Sequence, residues 1–161
     1  MIAAVILALS LQATGEEPAV WTFEAVSDPL SDARRGIAQV EGVGRSGLVV
    51  KCDSGGRGMY VHLLSEEFLG GAGVRSDVRN LTYRVDQRPP VTRRWTHKDA
   101  WAAALGRDAG PVIADLMSGE SIFIRATRYD YRSVDMRFSL VGARDAISKA
   151  YEACGAGSPP V

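Results

Sequence analysis

The sequence predicts a mainly β fold: an antiparallel, sandwich-like domain with short helices and a C-terminal helix. Three observations predict it. Apolar residues recur at every second position in several segments of strand length, turns rich in Gly, Asp and Ser separate those segments, and only three segments carry helix-boundary signals. A chain of 161 residues fits one domain and buries a sizeable core. Residues 1–13 read as a signal peptide and 14–161 as a single globular domain.

The strands follow in order. "TFEAV" and "GIAQVEG" add two strands, and "GLVVKC" (Gly47 to Cys52) is a β-branched run. In "GMYVHLLS", Met59, Val61 and Leu63 alternate with Tyr60, His62 and Leu64, so both faces are largely apolar. "NLTYRVDQ" turns Leu81, Tyr83 and Val85 to one side and Thr82, Arg84 and Asp86 to the other. "SIFIRATRY" is a further strand, and "SVDMRFSL" sets Val134, Met136, Phe138 and Leu140 opposite Asp135, Arg137 and Ser139. Between these lie "DSGGRG" and "YDYRS" as turns, and "GVGRSG" (Gly42 to Gly47) as a hairpin loop. That last segment matches G-x-G-x-x-G in form, but strands flank it, whereas a dinucleotide fingerprint must open a helix.

Three helices are predicted. "THKDAWAAALG" has Thr96 as N-cap, Asp99 three residues later and Gly106 as a stop, which places His97 in a first helical turn. "GPVIADLMSG" has Pro111 in its first turn and Gly119 just past its end. "GARDAISKAYEACG" aligns Ala143, Ile147, Ala150 and Cys154 on one face, directed at the core. Pro89 and Pro90 lack amide donors, so strand pairing is expected to end there, with Arg93 and Arg94 projecting from a stiff loop just before Trp95.

The location is read from two features. Ile2 to Leu11 ("IAAVILALSL") is too short for a membrane span and suits a secretory h-region, with "LQA" ending at Ala13 as a cleavage region. The alternative is an N-terminal core element of a cytosolic protein. In an oxidising compartment, Cys52 and Cys154 most simply form one disulfide. The chain has no C-x-x-C and no Cys/His cluster at zinc spacing, so neither a metal nor a cofactor is expected.

Composition excludes little. Apolar residues make up 46% and charged residues 24%, and the formal net charge is zero, so no bulk attraction to nucleic acid or an anionic membrane follows. The basic residues comprise 16 Arg and 3 Lys, a bias that a GC-rich genome produces by itself. Charge is nevertheless uneven. From Arg75 to Lys98 the local charge is +5, with Tyr83 and Trp95 interspersed, while Thr14 to Arg35 carries −3. The basic stretch either binds an anionic partner or complements the chain's own acidic segment. Its Arg84, Arg88, Arg93, Arg94 and Trp95 form the candidate interaction surface, since paired guanidiniums beside an indole have the composition of a contact hot spot.

Catalytic signatures are sparse. There is no G-x-S-x-G, the two histidines are isolated, and nothing in the sequence buries either Asp28 or Asp32 to raise its pKa. The sequence therefore points away from an enzyme.

"WTFEAVSDPLSDARRGIAQV", "LVVKC", "LTYRVDQRPPVTRRW", "VIADLMSGESIFIRA" and "FSLVGARDAISKAYEACG", taken in that order from Trp21 to Cys154, resemble the type VI secretion accessory family called VasI. The shared marks are an early Trp, a strand ending in Lys-Cys, a Tyr-Arg-x-Asp strand before a tryptophan, and a Phe-x-Leu-x-Gly strand leading into a cysteine-bearing helix. The resemblance implies a β-rich protein of the bacterial envelope and carries no catalytic residues. It also implies a further cysteine in many relatives where this chain has Gly36, so a second bridge is absent here. The function expected is that of an exported, non-enzymatic accessory or binding protein, periplasmic or secreted, whose partner is another envelope or secreted protein. Two alternatives remain: an inhibitor of an envelope hydrolase, and a phosphate- or nucleic-acid-binding module using Arg75 to Lys98.

Overall fold

The structure is a computed structural model, and it describes residues 19–54, 58–70 and 77–160. The signal peptide expected over 1–13, and Arg75 at the start of the basic stretch, lie outside the described residues.

The strands are β1 (Thr22–Ser27), β2 (Arg34–Glu41), β3 (Gly47–Asp53), β4 (Gly58–Leu64), β5 (Asp77–Val85), β6 (Val91–Lys98), β7 (Trp101–Leu105), β8 (Ser121–Thr127) and β9 (Ser133–Ser139). The helices are α1 (Ala109–Leu116), entered through a 3-10 turn over Gly106–Asp108, and α2 (Ala143–Cys154). Every strand pairing is antiparallel, in one continuous sheet of order β1-β2-β3-β4-β7-β6-β5-β8-β9. The mainly β class and the C-terminal helix are as the sequence predicts.

The sheet bends so that its two ends approach. The Trp21 amide donates to the Val141 carbonyl at 3.2 Å, and the Trp21 indole N–H donates to the Ser139 carbonyl at 2.8 Å. The inner face is lined by residues that alternate along most strands, among them Leu48, Val50, Val61, Leu63, Leu81, Tyr83, Ile122, Ile124 and Phe138, all buried. Both helices bury apolar faces in the same core cluster: α1 through Val112, Ile113 and Leu116, and α2 through Ala143, Ile147 and Ala150.

Helix α2 lies across β1, β2 and β3. Its approach to β2 is very close, because a Cβ on Gly36 would fall 2.1 Å from the Ala150 carbonyl oxygen. Glycine at 36 is therefore required by the packing, and the helix occupies the space a cysteine would need. Beside this contact, Cys52 of β3 and Cys154 of α2 are joined in a disulfide spanning 102 positions.

Two sequence expectations fail in the middle of the chain. The predicted helix from Thr96 to Gly106 is instead the end of β6, a turn at Asp99 and Ala100, and β7. Asp99 takes a left-handed conformation (φ 51°), which Asp tolerates better than most residues, and its carbonyl accepts the Leu69 amide at 2.6 Å. His97 is thus a buried strand residue, outside any helix. The chain also rejoins the sheet directly after the double proline, so Arg93 and Arg94 stand within β6, paired to Leu81 and Asn80, and no loop projects them.

Candidate functional site: an arginine-rich outer face

Alternation along β6 separates the residues of the candidate surface. Val91, Arg93, Trp95 and His97 turn inward, while Thr92, Arg94, Thr96 and Lys98 turn outward. Trp95 is 1% exposed and is core. Arg93 donates through Nε to the Tyr83 hydroxyl at 3.1 Å, and that hydroxyl donates to Asp115 Oδ2 of α1 at 2.7 Å. Burial pushes the Tyr83 phenol up to about 12, with Asp115 reinforcing the shift and the Arg93 guanidinium opposing it. This network ties β5, β6 and α1 together. Arg88 instead donates through Nη1 to Ser118 Oγ at 2.8 Å and through Nη2 to the Ser118 carbonyl, at the C-terminal end of α1. Of the five candidates, Arg84 and Arg94 alone share the open outer face. They stand on neighbouring strands but are offset by four residues along them, about 14 Å at strand rise.

Strand order supplies Arg84 with different neighbours. Arg84 of β5 stands opposite Phe123 of β8, which stands opposite Arg137 of β9. The next outward row is Thr82, Arg125 and Asp135. Facing strands are about 4.8 Å apart, so the Arg84 and Arg137 backbones lie about 9.5 Å apart on either side of the phenyl ring. Arg125 is held by a bidentate pair to Asp135, 2.6 Å from Nε to Oδ1 and 2.6 Å from Nη2 to Oδ2, and its guanidinium carbon lies 5.9 Å from the Phe123 ring centroid. Hydrogen bonding from Arg125 holds the Asp135 carboxyl below its usual range. The Arg84 and Arg137 side chains are exposed and make no hydrogen bond or ion pair with another described residue.

These side chains line a depression of about 830 Å³ on the outer face. Asp86 and Glu120 also line it. Asp86 is already engaged: its carboxylate accepts the Ser121 amide at 2.9 Å and the Glu120 amide at 3.1 Å, bonds that hold its pKa down and fasten the β5–β6 turn to the start of β8. Sequence reading found Arg84 and the outward position of Arg137, but did not bring in Phe123 or Arg125. The available signal is their period-two alternation with Ile122, Ile124 and Ala126, whereas the neighbour relation comes from the β5-β8-β9 order, which a linear charge count does not contain.

The histidines are structural in their surroundings. His62 stacks against Trp101 with ring centroids 5.3 Å apart and lies 5.0 Å from the Tyr60 ring, on the outer face of β4 and β7. His97 is fully buried, and among the described residues neither ring nitrogen has a hydrogen-bond partner of normal geometry. Burial, and then the nearby Arg79 charge, lower its pKa, against a smaller opposing pull from the backbone of Thr127 and Leu69. Among the described residues there is no group of three His, Cys, Asp or Glu side chains placed to hold a metal, and no helix long and apolar enough to cross a membrane.

No protein-family model matches the chain, and neither a curated protein nor a solved structure matches it. The outer face and the disulfide are therefore interpreted from their own chemistry.

Proposed function

We propose that this is an exported, non-enzymatic accessory or binding protein of the bacterial envelope, periplasmic or secreted, acting through protein contacts in the manner of the VasI-like type VI secretion accessory family. The observation that carries the reading is the Cys52–Cys154 disulfide, whose residues are 1% and 4% exposed. It uses every cysteine in the chain and is built into the helix–sheet contact, an arrangement suited to an oxidising compartment. A non-catalytic role is supported by how the titratable groups are used. Asp86, Asp130 and Asp135 are bound to backbone amides or arginines, His62 is stacked, and His97 is shut in the core.

Fractionation of the native host, with intact-mass analysis under non-reducing conditions, tests the reading. The expected product lies outside the cytoplasm, has lost about 13–17 N-terminal residues as signal cleavage requires, and is lighter by two hydrogens than the reduced form. A cytoplasmic protein that retains Met1 and two alkylatable thiols overturns it.

A further inference from the structure

We infer that the outer face of β5, β8 and β9 is a docking site for an acidic peptide segment, a carboxylate-bearing stretch of a partner protein whose apolar side chain rests on Phe123. This rests on the reading of the chain as a binding protein and names the chemistry its partner must present.

Charge and spacing carry the inference. The facing row Arg84, Phe123 and Arg137 offers two guanidiniums without internal partners on either side of a half-buried ring. Elsewhere in the same depression Arg125 is matched by Asp135 and Asp86 by two backbone amides, while Glu120 carries a carboxylate without a partner among the described residues. Two unpaired guanidiniums, Arg84 and Arg137, thus face one unpaired carboxylate, and both lie in the row that holds Phe123. A guanidinium meets a carboxylate through two parallel hydrogen bonds, and the ring between the two cations supplies an apolar floor.

The lining selects against a polyanion. Three arginines are set against the carboxylates of Asp86, Glu120 and Asp135, the last paired with Arg125, so the patch has no net positive charge and a nucleic-acid backbone would have to lay successive phosphates beside fixed negative charges. A peptide with one or two carboxylates and an apolar residue between them fits the row of Arg84, Phe123 and Arg137.

The test uses the full exported chain, labelled with nitrogen-15, and four probes: an N-acetylated, C-amidated Glu-Leu-Glu-Leu tetrapeptide, its Gln-Leu-Gln-Leu counterpart, inorganic phosphate, and a ten-residue oligothymidylate. The acidic peptide is expected to shift the amide resonances of Arg84, Phe123 and Arg137, with binding that weakens as salt rises. The amide counterpart should bind about tenfold more weakly or worse, the loss of roughly one charged contact. The double variant Arg84→Ala/Arg137→Ala should abolish the shifts while its melting temperature is unchanged, because neither side chain has an internal partner. Phe123→Ala should weaken binding of the acidic peptide and leave the oligothymidylate unaffected. Equal binding of the two peptides, stronger binding of phosphate or oligothymidylate at these residues, or no site-specific shift at millimolar peptide would overturn the inference. Such a failure in a protein found outside the cytoplasm removes the acidic-peptide site and leaves the export reading standing. A cytoplasmic protein that binds the acidic peptide does the reverse.

Discussion

Arg93 and Arg94 are adjacent in sequence and opposite in role. The Arg93 guanidinium turns inward to the Tyr83 hydroxyl, whereas Arg94 is exposed and makes no hydrogen bond or ion pair with another described residue. Arg93→Ala leaves a buried phenol and Asp115 to re-pair, and should destabilise the fold by about 1–2 kcal/mol, the range for a half-buried charged hydrogen bond. Arg94→Ala should stay within about 0.5 kcal/mol. Urea titration of the two single variants separates them, and equal effects would mean that the inward network is not formed. His97 sets a second expectation at this scale. Its pKa is lowered in the folded state, so the unfolded chain takes up a proton that the native ring refuses. The stability this contributes is present above about pH 6.5 and is lost as pH falls through the lower, folded-state value. Melting temperature should therefore drop as pH falls below about 6.5, before the carboxylates begin to titrate. His97→Phe should flatten that drop. An unchanged slope in the variant would assign the acid sensitivity to other groups.

Among the elements, α2 is fixed by a contact with no room to give. Gly36→Ala places a methyl group against the backbone of Ala150, so either α2 lifts or β2 bends. The expected cost is about 1–3 kcal/mol, as for other overpacked sites, read as a lower urea midpoint and faster amide exchange in α2. Elements with one clean apolar face were legible in advance: β5 from Leu81, Tyr83 and Val85, β9 from Val134, Met136 and Phe138, and α2 from its Ala, Ile and Cys stripe. Strand β6 was not, because two of its four inward residues, Arg93 and His97, are polar and spoil the alternation. Strand β7 was misread for the opposite reason. Its Ala102, Ala103 and Ala104 are all buried, so no period of two survives, and alanine is the residue that most favours a helix. Packing of α1 on β4 and β7 overrides that preference. The candidate site was half legible in the same sense: outward arginines could be identified strand by strand, while their grouping around Phe123 depends on β8 pairing with β5 across an intervening hairpin and helix.

At the scale of the whole molecule, the Cys52–Cys154 disulfide closes a loop of 102 positions across the one core cluster. In the chain-entropy account, a closure of that length limits the unfolded state by about 4.7 kcal/mol at most. Replacing either cysteine with Ala should cost about 2–5 kcal/mol, with part of it recovered if the unfolded chain retains structure. Denaturant titration of oxidised protein, reduced protein and the Cys154→Ala variant gives the comparison. Coincident midpoints for oxidised and reduced protein would show that packing of α2 alone carries the stability.

The separation of the two cysteines also sets a schedule. Synthesis proceeds at about 5–20 residues per second, so Cys52 emerges about 5–20 s before Cys154 is made. During that interval Cys52 is a thiol with no mate on its own chain, since no cysteine lies between the two. Intramolecular mispairing is thus impossible by construction, and the only erroneous product open to a nascent chain is a bond to some other molecule's sulfur. Crowded synthesis should consequently err toward Cys52-linked dimers and mixed disulfides rather than scrambled monomers, and isomerase action would have nothing to rearrange within a single chain.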